Sequence, residues 1–481
     1  MPPMFTQAVR AATAVIFGVC ITSTATAALQ QQVESIIASR SYTDDQISVA
    51  VRDCDTGQLI VDINADQIRI PASNMKVLTA GTAALVLGAD FRFETRLLRR
   101  GDTLILEGDG DPALGDPRLL SSMGDITPEK LLDVWASAVE QSGLRSVTTL
   151  IVDDRVFDRE ATPPEWPENQ FDRRHSAPIS GLNFHRNTVM LSARGTPSRV
   201  QVRPMSPEYP DIRVVDSITL DTRGKKSAAL DPVRQLDANR IVLKGKVSPG
   251  QSAGVEISID EPALRTGELL ASLLRRRGIS VGSVRLANAD EPPAAGTPIG
   301  PPIVTPIATT LDICNAYSTN VYAESLLKRL AHHTTGRPGT RIDGGRIVIR
   351  TAQQLTGDAQ GLHVEDGSGL SRGNRVTAGL LAAWLCAFDG DTAAEVVFLD
   401  SLATPGEGTL KGRLSAADAT GALIQAKSGY INRVSALSGL VTRSDARRFA
   451  FSIIVNNTDR TRPAKAMQDA IVATIASSVR K

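Results

Sequence analysis

Residues 71–90, PASNMKVLTAGTAALVLGAD, constrain the fold more than any other stretch: nearly every position is small or apolar, and a single cation, Lys76, stands among them. A helix that is apolar almost all round is normally buried inside a domain. A buried ammonium is costly unless it is paired or gives up its proton. Pro71 suits the start of such a helix and Gly88 its end. The bland account of Lys76 is that it snorkels to water along its own stem. The other account is chemical, and the rest of the chain has to choose between them.

A chain of 481 residues exceeds one ordinary core, so two or three domains are expected. After a leader comes a helix, ALQQQVESIIASR, then two alternating strands around an Asp-Thr-Gly turn in QISVAVRDCDTGQLIVDINAD. From about Phe91 to Gly300 the texture changes to many short strand-like runs broken by Gly, Pro and Asp, with PEKLLDVWASAVEQSG and PALRTGELLASLLRRRG as helices among them. A proline-rich linker, EPPAAGTPIGPPIVTP, leads out of this region. Helices follow around TTLDICNAYSTNVYAESLLKRLAHHTTG and TAGLLAAWLCAF, then strands ALIQAKSGYI, SALSGLVTR and RFAFSIIVNN, and a closing helix. Strands at both ends with helices between them predict an α+β fold, one antiparallel sheet closed by both termini and covered by helices. The expected division is a leader over 1–27, a catalytic domain over 28–90 and 300–481, and an inserted β-rich region over 91–299, in two subdomains.

The leader has one arginine, a short apolar stretch around AVIFGVCI, and a small-residue cleavage signal at Ala25-Thr26-Ala27. It predicts export to the periplasm. Val19 before Cys20 does not fit a lipoprotein box, and no later apolar run is long enough to span a bilayer, so no transmembrane anchor is expected. Loss of the leader, which carries Arg10 and no acid, takes the formal charge from +1 to zero. With no long Lys/Arg run, nucleic acid is not an expected partner. The remaining cysteines, Cys54, Cys314 and Cys386, allow one bridge with a free thiol or three buried thiols. Neither they nor the five histidines have metal-ligand spacing, so no metal or other cofactor is expected. Asp109 and Asp111 in LEGDGDPALG lack the EF-hand pattern and read as a structural turn.

Ser73 and Lys76 form Ser-x-x-Lys, which on a helix sets both side chains on one face. Chance alone yields such tetrads, and Ser325-Leu326-Leu327-Lys328 is a second one, in an amphipathic pattern that reads as a solvated face. Ser73 differs because it begins its helix, where free N–H groups favour developing negative charge. Two triplets then follow in order: Ser318-Thr319-Asn320, Ser-x-Asn at a helix edge, and Lys427-Ser428-Gly429, close to Lys-Thr-Gly on a strand. Together the three are the signature of penicillin-binding proteins and class A β-lactamases.

On these motifs the chain resembles the penicillin-binding protein 4 type of serine D-Ala-D-Ala carboxypeptidase/endopeptidase, peptidase family S13. The resemblance extends to LEGDGDPALG, HSAPISGLNFHRNTVML and VEDGSGLSRGNRVTA, and to the long insert between the first two motifs. It implies a transpeptidase-like fold and a serine DD-peptidase acting on peptidoglycan stem peptides, with penicillins as covalent inhibitors. It also implies that Ser73 is the nucleophile and Lys76 its base, the latter made neutral by burial and by Lys427. Ser318 would pass the proton to the leaving amine, Asn320 would hold the substrate amide, and Lys427 with Ser428 and Gly429 would receive the terminal carboxylate. The backbone N–H groups of Ser73 and Tyr430 would form the oxyanion site. Arg372 in SGLSR matches a residue that grips the diaminopimelate side chain; at the matching acid, Trp-Pro-x-x-Asp, this chain has Gln170, with Asp172 two residues later. Two other functions stay open at this point. A β-lactamase would need a glutamate where ISGLN has Ile179. A non-catalytic peptidoglycan-binding scaffold could keep the fold without turnover.

Overall fold

The computed structural model describes residues 27–40, 42–223, 226–235 and 239–478. The leader read over 1–27 therefore lies outside the described residues, apart from Ala27. The chain opens with helix α1 (27–38) and the strands β1 (Ile47–Asp53) and β2 (Leu59–Ile63). Helix α2 (Met75–Leu87) follows, stopped at Gly88. Far along the chain come α3 (Ile307–Ala316), α4 (Asn320–Thr335), α5 (Arg341–Thr356) and α6 (Ala378–Cys386). Strands β3 (Leu423–Ile431), β4 (Val434–Thr442) and β5 (Arg448–Val455) and helix α7 (Thr461–Ser477) close it.

The two ends meet in one antiparallel five-stranded sheet of order β3-β4-β5-β1-β2, with Val49 opposite Ile453 and Lys427 opposite Ser438. Side chains alternate across a strand, so β1 sends Val49 and Val51 to one face and Ala50 to the other. The first face packs on α1 and α7 through Leu29, Val33, Ile37, Met467 and Ile471. The second packs on α2 and α6 through Val77, Leu78, Leu381 and Trp384. The helix that read as apolar all round is thus enclosed, its residues Met75 to Ala84 all buried.

Strands between 92 and 306 build other sheets. Six of them form a sheet in which Thr103–Glu107, Ser146–Asp153 and Ser280–Leu286 run parallel, and the helices Pro128–Gln141 and Pro262–Arg276 cross over between them. Two three-stranded sheets complete the segment. Cys54 is bridged to Cys386, tying the end of β1 to α6, and Cys314 is a buried free thiol.

One sequence expectation is corrected here. Ser325 and Lys328 do not lie on a solvated face: both are buried, Lys328 Nζ bonds Asp158 Oδ1 at 2.5 Å and the Glu160 carbonyl at 2.6 Å, and Ser325 Oγ accepts from Asn183 at 3.3 Å. Segments from before residue 190 cover this face of α4, so an amphipathic-looking pattern is an internal polar seam. Asp109 and Asp111 hold a turn, as read: Asp109 pairs with Arg329 at 3.1 Å, and Asp111 accepts from Thr305 Oγ1 at 2.6 Å and the Ala113 N–H at 2.8 Å.

Candidate active site

Ser73 does not sit in the α-helix itself. It occupies a single 3₁₀ turn, Ala72–Asn74, leading into α2, with Ala72 held in the left-handed region at φ 48°. Ser73 is half-buried, whereas Lys76 one turn later is fully buried. Asn74 anchors the turn to the sheet through its Nδ2, which donates to Ser438 Oγ at 2.6 Å, and Ser438 in turn meets Ser452 at 2.8 Å.

Lys76 Nζ reaches Ser73 Oγ at 3.3 Å, Asn320 Oδ1 at 2.7 Å and the Ser368 carbonyl at 2.8 Å. The first two motifs therefore meet on one ammonium, and a loop the sequence reading had not assigned to the base supplies its third acceptor. Asn320 spends its other end on the His175 carbonyl, at 2.8 Å. Ser318 stands in the turn between α3 and α4 with φ 58°, a conformation that costs a non-glycine residue about 1–3 kcal/mol and is characteristic of functional turns. With Thr319 and Asn320 it lines a cleft of about 290 Å³ whose other wall carries Arg118, Arg174 and His175. A larger cavity, about 450 Å³, lies where the six-stranded sheet meets the end of α4; its arginines are paired with Glu107 and Asp153, and no residue of the three motifs lines it.

The third triplet reaches the Ser73 turn through backbone. A Cβ on Gly429 would lie 3.0 Å from both the Pro71 carbonyl and Asn74 Oδ1, so a side chain there would push β3 and the Ser73 turn apart by a few tenths of an ångström. β3 is an edge strand, and the Ala426 N–H points away from β4 to the Ala403 carbonyl at 2.9 Å. The period of two along an unbroken ladder then turns the N–H groups of Ser428 and Tyr430 to the same free edge. The Tyr430 side chain is exposed. Lys427 is fully buried and its Nζ donates to the Ser428 carbonyl at 2.7 Å.

Burial is the main reason that Lys76 falls to about 8. Cys314, Glu324 and Asp366 oppose that fall by favouring the cation. Lys427 is driven well below an ordinary lysine by burial first and by Lys76 second, so the repulsion expected between the two lysines falls on Lys427. Burial lifts Cys314 to about 11.

Arg372 and Gln170 lie outside this cluster. Arg372 Nη1 donates to the Asn432 carbonyl at 2.9 Å, at the turn after Tyr430, and Gln170 Oε1 meets His175 Nε2 at 2.8 Å, next to the carbonyl that Asn320 uses. The residues that sequence reasoning missed are Glu324 and the loop Asp366–Ser371. Asp366 gathers the N–H groups of Gly369 and Ser371, the Asn374 amide and the Trp166 indole at 2.6–2.8 Å. Gly369, at φ 81°, presses on the nucleophile turn so tightly that a Cβ there would fall 1.8 Å from the Ala72 carbonyl oxygen. The DGSGLS run was the one available signal, since three turn-forming residues, Gly367, Ser368 and Gly369, follow a carboxylate there.

The arrangement can carry out acyl transfer: a hydroxyl within reach of an amine of lowered basicity, edge N–H groups beside it, and a second buried lysine behind. Comparisons with known proteins agree. A model of the D-Ala-D-Ala carboxypeptidase 3 (S13) family matches residues 29–478. A D-alanyl-D-alanine carboxypeptidase of Actinomadura sp. (strain R39) is 32% identical over 473 residues, covering 93% of this chain and 84% of that protein. The crystal structure of penicillin binding protein 4 from Haemophilus influenzae superposes with a TM-score of 0.74 at 22% identity, over 90% of this chain and 96% of the other. A second structure of that protein, complexed with a β-lactam, gives 0.69 at 22% identity over 94% and 99%. With its three motifs gathered at one turn and the match running nearly end to end, the chain belongs to the D-Ala-D-Ala carboxypeptidase 3 (S13) family.

Proposed function

We propose that this protein is a serine DD-peptidase of peptidoglycan stem peptides that works through an acyl-enzyme on Ser73. The observation that carries the mechanism is the ammonium of Lys76, held at once by Ser73 Oγ, Asn320 Oδ1 and the Ser368 carbonyl and lowered to about 8. Near neutral pH a useful fraction of this amine is neutral. It takes the Ser73 proton as the hydroxyl attacks the carbonyl of the penultimate D-alanine. The oxyanion forms between the N–H groups of Ser73 and Tyr430. Ser318 delivers the proton to the leaving amine, and Lys427 and Ser428 receive the terminal carboxylate. Asn320 turns from the His175 carbonyl to the substrate amide. Water then releases the acyl group.

Penicillins should acylate Ser73, in line with the β-lactam complex of the Haemophilus influenzae protein. Ile179, at the place of the β-lactamase glutamate, packs in the hydrophobic core. Arg372 is assigned to the substrate side chain, and Gln170 stands where the resemblance implies an acid. We further assign 28–90 and 300–481 to the catalytic domain and 91–299 to an insert of two subdomains. The Cys54–Cys386 bridge supports export to an oxidising periplasm through the leader; no described helix is long and apolar enough to cross a membrane.

The test is release of D-alanine from a peptide ending in D-Ala-D-Ala and cutting of a D-Ala to diaminopimelate cross-bridge. The wild type should perform at least one of the two and Ser73→Ala neither. A folded wild type that releases nothing from either would overturn the reading and favour the scaffold.

A further inference from the structure

Glu324 lies one helical turn beyond Asn320 on α4 and is 2% exposed. Its carboxylate accepts from the Gly367 N–H at 3.0 Å and the Ser368 N–H at 2.8 Å. The carbonyls of the same two residues face α2: the Ser368 carbonyl accepts from Lys76 at 2.8 Å and the Gly367 carbonyl from Thr79 Oγ1 at 2.9 Å. Two consecutive residues thus link a buried carboxyl on α4 to Lys76 on α2. None of the roles assigned above uses this carboxyl.

We propose that Glu324 is a positioning residue for Lys76: it fixes the Ser368 carbonyl against the ammonium and, by its charge, sets the pH at which that amine becomes a base. The proposal rests on the reading of Lys76 as the base for Ser73. Both parts follow from one geometry. A carboxylate can accept two N–H groups at once, and an amide cannot, because its NH₂ would face one of them. The anion also stabilises the lysine cation across the peptides. Four groups face Glu324 from the elements packed on it. They are Lys76 on α2, Asp366 in the loop, Cys314 on α3 and Arg341 on α5, the last already paired with Glu160 and Glu365. Burial, followed by Asp366, raises Glu324 to about 7, so it carries charge over the range in which Lys76 loses its proton.

The test is the rate constant for acylation by benzylpenicillin as a function of pH, in the wild type, Glu324→Gln and Glu324→Asp, each checked for a cooperative melt. Glu324→Gln should move the midpoint of the rise toward acid by about one pH unit, because the lysine cation loses its anion. Its plateau should fall about tenfold, the loss of one hydrogen-bond energy at the loop. Glu324→Asp keeps the charge, so its midpoint should stay near the wild type while the plateau falls. Equal losses in both variants with unmoved midpoints would overturn the proposal and leave Glu324 as packing. Should neither variant fold, wild-type protein carrying ¹³C-carboxyl glutamate decides: one glutamate that is ionised over the range in which Lys76 loses its proton and is perturbed by acylation supports the proposal, and none doing so overturns it. A wild type that is not acylated at all refutes the reading of Ser73 and Lys76, which is a different failure.

Discussion

At the scale of single residues, the lysine that looked out of place in an apolar helix is the centre of the site. Lys76→Ala should lower acylation of Ser73 by about 10²–10⁴-fold, the usual contribution of a positioned base, with the fold retained. The pH dependence has a definite sign. Burial lowers Lys76 to about 8, the neutral amine is the active form, and acylation should therefore rise with pH through that region. Stopped-flow acylation at constant ionic strength checks this; a rate that falls across the same range would contradict it. Ser73, Lys76, Ser318, Asn320 and Lys427, the residues of the proposed site, can be picked out of the sequence because each belongs to a short motif whose spacing survives any fold. Glu324 and Asp366 were not, since their partners lie at Gly367, Ser368 and Trp166, far along the chain. Lys328 was misread for a related reason: nothing near it in sequence announces Asp158.

At the scale of elements, the loop Asp366–Ser371 backs the turn that carries Ser73. Its N–H groups point to two buried carboxylates and its carbonyls to α2. Gly369→Ala should destabilise the protein by about 2–3 kcal/mol, through overpacking against Ala72 and the positive φ, and should also slow acylation. Thermal melts with parallel acylation rates test this; an unchanged melt would mean that the loop yields easily. Strand and helix periodicities in the sequence pointed to most elements. Helix α5 escaped because Gly344-Gly345 near its start resembles a turn. Gly344 lets it lie against α4, where a Cβ would meet the Leu327 carbonyl at 2.2 Å.

At the scale of the whole molecule, the five-stranded sheet closes only when residues 423–455 come back to residues 47–63. The Cys54–Cys386 bridge fastens that closure across 332 residues of sequence. Cys54→Ser with Cys386→Ser should cost about 2–4 kcal/mol, chiefly by freeing the unfolded chain, and should leave penicillin stoichiometry unchanged in the folded fraction. Denaturant unfolding measures the cost, and no change in midpoint would contradict it. The antiparallel sheet closed by both chain ends was legible, since short strand-like runs stand at each end of the chain with helices between them. The parallel strands at 103–107, 146–153 and 280–286 were not, because periodicity within a strand says nothing about its neighbour's direction.

The central claim is an acyl-enzyme on Ser73, and intact-mass spectrometry with benzylpenicillin tests it most directly. The account predicts a gain of one penicillin mass, mapped to the Ser73 peptide and missing in Ser73→Ala. No adduct on folded protein with the drug left intact would contradict the account, and no adduct with the drug rapidly hydrolysed would make the protein a β-lactamase.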